Sequence, residues 1–182
     1  MKYLFFAIPA VFLVFVGWTI SHPKHDLQYE INRLTHKTAE KLRKQEDLFA
    51  CGTGGGMEEG KILCRCLSFQ FFHEVDLEKA RKLLVRAIDQ YLADINASEN
   101  INPYLMTYPN PFMPKNLEIR IWIYKPDGSS MEGDNIYYVQ SIDGILEYYP
   151  PIRPEDTVWT RRMIHKETYE EAINALKTEN SL

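Results

Sequence analysis

Thiols are the first groups in this chain to weigh for chemistry. There are three, Cys51, Cys64 and Cys66, and a thiol becomes a nucleophile only when a base or positive neighbour draws off its proton. The histidines are His22, His25, His36, His73 and His165. Cys64 or Cys66 with His73 or His165 is the pairing that would make a cysteine-dependent enzyme. The plainer reading is preferred. Cys64 and Cys66 are small residues of an apolar strand, and His73 marks that strand's end. Two-residue spacing puts both thiols on one strand face, poor geometry for a mutual disulfide. An odd cysteine count without regular spacing is no disulfide framework.

Other chemical signals are weaker. His22 and His25 stand at i, i+3, but two exposed ligands make a poor metal site, and nothing calls for a metal or cofactor. GGMEEGK at residues 55–61 fits the GxxxxGK spacing of a phosphate loop. Ile62 then stands where Ser or Thr would hold Mg²⁺, Glu58 and Glu59 fall where phosphate charge would sit, and helix precedes strand instead of following it. The pairs Glu58/Glu59 and Glu170/Glu171 read as solvated surface. HExxH, CxxC and GxSxG are absent from the sequence. The net charge of −4 gives no reason to expect nucleic acid, which calls for a clustered basic face.

Binding is the better-supported chemistry. Residues 103–114, PYLMTYPNPFMP, carry four prolines among Tyr104, Met106, Tyr108, Phe112 and Met113. Proline fixes φ and removes donors, so this is a semi-rigid loop presenting apolar groups. With Trp122 and Tyr124 from the next strand, Tyr104, Tyr108 and Phe112 would supply low-entropy contact area, and Arg120 a polar anchor, for a protein or peptide partner.

What must position these residues begins at the N-terminus. Residues 3–20, YLFFAIPAVFLVFVGWTI, hold no charge. As a helix they would span about 27 Å at about 1.5 Å per residue, close to a bilayer's hydrocarbon thickness. Lys2 precedes the run as in a signal-anchor, and the run is longer than a cleavable signal's core. Trp18 suits the interface and Pro9 is tolerated in a span. The expectation is a single-pass membrane protein. Residues 1–21 would be a transmembrane anchor or uncleaved signal, with the lipid bilayer as partner through residues 3–20. The soluble domain would lie on the extracytoplasmic side, although Lys24, Arg33 and Lys37 count against that orientation. The sequence Leu48-Phe49-Ala50-Cys51 lies too far downstream to be a lipoprotein box.

Residues 22–50 read as a charged helical stalk with a partial stripe of Leu27, Ile31 and Leu34, able to form a homodimer only if a coiled coil extended it. Residues 51–60 read as a glycine-rich hinge, and residues 61–182 as the globular domain. Within it, residues 61–73 read as a strand whose small residues Cys64, Cys66 and Ser68 could receive a helix. Residues 76–96 form the clearest amphipathic helix, with Asp76 as N-cap. Residues 117–125 alternate as a half-buried strand. Residues 135–142 and 145–149 make a hairpin around Asp143-Gly144, and residues 167–177 a last helix. The fold class expected is α+β: an N-terminal membrane helix and stalk helix, then a four-stranded, mainly antiparallel sheet with helices packed on one face. The other face would carry Arg65, Glu118, Arg120, Trp122 and Tyr124. The function expected is a non-enzymatic binding domain presented at a membrane surface. The alternatives are the cysteine enzyme and a structural protein dimerising through its stalk.

Overall fold

The computed structural model describes residues 27–153 and 162–179. Its core is a six-stranded mixed sheet in sequential order. The strands are β1 (Phe49–Glu58), β2 (Lys61–Phe71), β3 (Leu117–Ile123), β4 (Tyr138–Ile142), β5 (Ile145–Tyr149) and β6 (His165–Thr168). The helices are α1 (Leu27–Glu46), α2 (Leu77–Asn96) and α3 (Tyr169–Glu179). Every neighbouring strand pair is antiparallel except β2 and β3, which run parallel. A parallel pair needs a long crossover, and α2 with the proline-rich loop supplies it.

This corrects the expected four-stranded, mainly antiparallel sheet at both edges. The glycine run is a strand, not a hinge: it pairs from Phe49↔Gln70 to Glu58↔Lys61. Glu59 and Gly60 both have positive φ, 48° and 77°, the conformation a two-residue hairpin turn demands. At the far edge, Glu167 belongs to β6 and not to a helix.

The helix read as a stalk is part of the domain. Ile31, Thr35, Thr38 and Leu42 of α1 are buried, and they recur at helical spacing on one side. Thr35 and Tyr91 share a hydroxyl hydrogen bond of 2.9 Å, and Thr38 donates to Asp94 at 2.7 Å. Lys41 pairs with the same Asp94. Arg86 reaches back to Glu46 at 2.7 Å.

The single-pass membrane expectation also needs correcting. Among the described residues no helix is long and apolar enough to cross a membrane. Residues 3–20, on which that expectation rested, lie outside the described residues, as do His22 and His25.

α2 forms where its periodicity places it. The Asp76 side chain accepts from the Lys79 backbone N–H at 2.7 Å. Ala80, Leu84, Ala87, Ile88, Tyr91 and Ile95 are buried. They meet Leu67, Phe69 and Phe71 of β2 and Leu117, Ile119, Ile121 and Ile123 of β3 in one core, joined by Leu42 of α1 and Ala172 of α3. All three helices therefore lie on one side of the sheet. Arg65, expected on the opposite side, is buried in this helix-covered layer at 8% exposure.

Candidate functional site: the open face of the sheet

No helix among the described residues covers the second face. Its lowest part is at β1. Gly52, Gly54 and Gly56 stand opposite Ser68, Cys66 and Cys64 across the ladder. A Cβ on Gly54 would lie 3.8 Å from that of Cys66, and one on Gly52 3.5 Å from that of Ser68. Those are ordinary contacts, so space does not demand glycine at these two positions. What the glycines do is leave a shallow trough floored by backbone, where another chain can approach closely. Glu118 and Arg120 of β3 wall it. Arg120 donates from Nη2 to Glu118 at 2.7 Å and from Nη1 to the Cys66 sulfur at 3.6 Å. Both side chains remain about one-third exposed.

Beyond this wall lies an aromatic band. Trp122, Tyr138 and Tyr149 occupy one register across β3, β4 and β5, with ring centroids 5.2 and 6.0 Å apart. Phe49, Phe72, Tyr124 and Tyr137 form a second row at spacings of 5.6, 5.8 and 5.9 Å. Hydroxyl and amide groups lock the first row. Tyr138 donates to Gln140, Gln140 to Glu147, and Tyr149 to Glu147. Lys166 adds a fourth bond at 3.0 Å. Burial works to raise the Glu147 carboxyl, but the bonds from Tyr149, Gln140 and Lys166 outweigh it and hold the group below the usual carboxylate range. Tyr138 and Tyr149 are themselves buried, at 7% and 9% exposure, so Trp122 is the half-buried ring of this row that reaches the surface, and it is held in place before any partner arrives.

The sequence-predicted binding residues divide into three groups. Arg120, Trp122 and Tyr124 share this open face. Tyr104 and Tyr108 are exposed on the crossover loop, beyond the other end of β3. Leu117 and Trp122 are separated by about 17 Å at about 3.3 Å per residue. Phe112 is core, at 1% exposure. The Asn96 side chain holds it there, accepting from the Phe112 N–H at 2.8 Å and donating to its carbonyl at 3.0 Å. Phe112 therefore leaves the expected binding surface.

The thiol–histidine pair does not assemble. Cys64 and Cys66 are half-buried in the trough, not under a helix. His73 follows the end of β2 and faces Asp47 at 3.6 Å. Phe71 alone is about 16 Å from Cys66 along the strand. His165 belongs to the helix-covered layer on β6, across the sheet from both thiols. Among the described residues, no group of three or more His, Cys, Asp or Glu is placed to hold a metal ion.

Under the helices lies a polar cluster that sequence spacing did not reveal. Arg81 of α2 donates from Nε to Glu167 of β6 at 2.9 and 3.1 Å. Tyr148 donates to the same carboxylate at 2.7 Å, and His165 Nε2 lies 3.4 Å away. Burial works against the Glu167 charge, yet Arg81, Tyr148 and His165 together hold its carboxyl below the usual range. Burial first, and then the carboxylate beside it, push the Tyr148 phenol well above its ordinary value. This cluster ties α2 to the edge of the sheet.

Comparison with protein-family models, with curated proteins and with solved structures finds no match.

Proposed function

We propose that this domain is a non-enzymatic interaction module that binds a protein partner across the open face of its sheet. One observation carries the reading. The three described helices all lie on one side, and among the described residues the other side carries a glycine-floored trough beside an ordered aromatic band. Arg120 and Glu118 stand between them as hydrogen-bonding groups of both signs. An apolar side chain of the partner would enter the trough, where Gly52, Gly54 and Gly56 leave room. Trp122 and Tyr124 supply rigid contact area with few rotamers to freeze. Cys64 and Cys66 contribute small side chains, and among the described residues no histidine stands beside them to make nucleophiles of them.

The test compares recovery of the bound partner on the full chain and on two variants. Gly54→Leu fills the trough, and Trp122→Ala removes the largest ring of the band. Loss of a contact worth at least about 2 kcal/mol weakens binding by about thirtyfold. Both variants should lose the partner to that degree while unfolding cooperatively. Undiminished recovery on both would overturn the proposal.

A further inference from the structure

Arg65 is a largely buried residue whose cation meets no anion among the described residues. It is 8% exposed, and its side chain donates from Nε to the Tyr91 hydroxyl at 3.5 Å. Among the described residues no carboxylate pairs with it. Glu30, the buried acid on α1, is bonded to Arg33 at 2.7 Å. The terminal nitrogens of Arg65 are not among the buried polar atoms left without a partner, so the tip of the guanidinium reaches solvent and is open to an acid from outside the domain.

The direction of the side chain indicates where that partner arrives. Arg65 pairs with Gly55 across the β1–β2 ladder. A Cβ built on Gly55 would lie 2.7 Å from Arg65 Nη1 and 3.2 Å from Cδ. The guanidinium therefore lies over Gly55 of β1, in space that any side chain there would occupy. Among the described strands β1 lies at the edge of the sheet. Its ten residues contain no proline, and no charge before Glu58. Most are exposed, so it is a long edge without the usual guards against pairing.

We propose that an extended, acidic segment of a partner protein adds to the sheet along β1. Its backbone continues the ladder, and one Asp or Glu side chain, on the helix side of the new strand, meets Arg65 beyond Gly55. Strand addition supplies main-chain hydrogen bonds, and the charged contact supplies the choice of sequence. A second copy of this chain fits poorly. Antiparallel pairing of β1 with itself over its full length sets Phe49 opposite Glu58, leaving no acid near Arg65. Sliding Glu58 opposite Gly55 leaves only residues 55–58 overlapping. This inference concerns the edge and the helix side of β1 and does not rest on the open-face reading, which the trough variants test separately.

The probe is a blocked peptide of alternating Thr and Val with one central Glu, compared with its Gln twin on the full chain. Hydrogen exchange at residues 49–58 is the readout. The Glu peptide should protect β1 at about tenfold lower concentration than the Gln peptide, and the preference should vanish in Arg65→Met. That variant should also unfold at an unchanged or higher denaturant midpoint, because it removes a charge that meets no anion among the described residues and keeps an apolar stem of similar length. Equal protection by the two peptides, or none by either, would overturn the inference. So would a destabilised Arg65→Met, which would make the guanidinium structural. Concentration-dependent dimerisation that alone protects β1 would assign the edge to a second copy and overturn it as well.

Discussion

Gly54 stands directly opposite Cys66 in the β1–β2 ladder, with room for a Cβ 3.8 Å from its neighbour's. One residue on, Gly55 stands opposite Arg65, and a Cβ there would fall 2.5 Å from the Cys64 carbonyl oxygen. Two adjacent glycines of one strand thus answer different demands, one an open surface and the other close packing.

Substitution separates them. Gly54→Val should leave the unfolding midpoint unchanged or higher, since a β-branched residue suits a strand. Gly55→Ala should destabilise the domain by about 1–3 kcal/mol, the usual cost of overpacking. Urea denaturation of both variants is the check.

The packing of α1 makes a second prediction. Leu42 is 1% exposed, and Leu42→Ala should cost about 2–5 kcal/mol of stability. In a solvated stalk the same change would cost almost nothing. Chemical unfolding followed by tryptophan fluorescence distinguishes the two.

Arg81 and Glu167 supply a third. Arg81→Met leaves a buried carboxylate facing Tyr148 and should destabilise by about 3–5 kcal/mol. Adding Glu167→Leu to that variant should recover part of the loss, because the stranded charge goes with it. A double-mutant cycle measures the recovery.

The pH dependence follows from the same group. The Glu167 carboxyl is depressed in the folded state, so its contribution is fully present above the ordinary carboxylate value of about 4.3. It is lost as pH falls through the depressed folded value. Stability of the native chain should therefore drop below about pH 4, and Glu167→Gln should flatten that slope. Denaturant midpoints across the acid range provide the measurement.

Much of the helix-covered core was legible in the sequence. The alternation of Leu117, Ile119, Ile121 and Ile123 placed β3 correctly, the stripe from Ala80 to Ile95 placed α2, and Asp143-Gly144 marked its hairpin. Both turn residues have the positive φ that this turn requires, 53° and 77°. What escaped notice did so for physical reasons. Thr35 and Thr38 complete the buried side of α1 through hydrogen bonds to Tyr91 and Asp94, and apolar counting passes over threonine. The glycine strand has little strand propensity of its own, and its pairing comes from β2. Parallel pairing of β2 with β3 is a long-range choice that no local pattern encodes. For the site, alternation put Arg120, Trp122 and Tyr124 on one face. The burial of Phe112 depends on Asn96, sixteen residues earlier, and was not legible.

Site-specific photocrosslinking on the full chain in cells tests the central claim most directly. A photoreactive residue replaces Glu118 or Lys166 on the open face, and Lys37 or Asn174 on exposed helix surfaces. The account predicts one discrete protein adduct from both open-face positions, absent from the helix positions and lost when Gly54→Leu is added. Adducts from the helix positions alone, or an open-face adduct indifferent to Gly54→Leu, would contradict it.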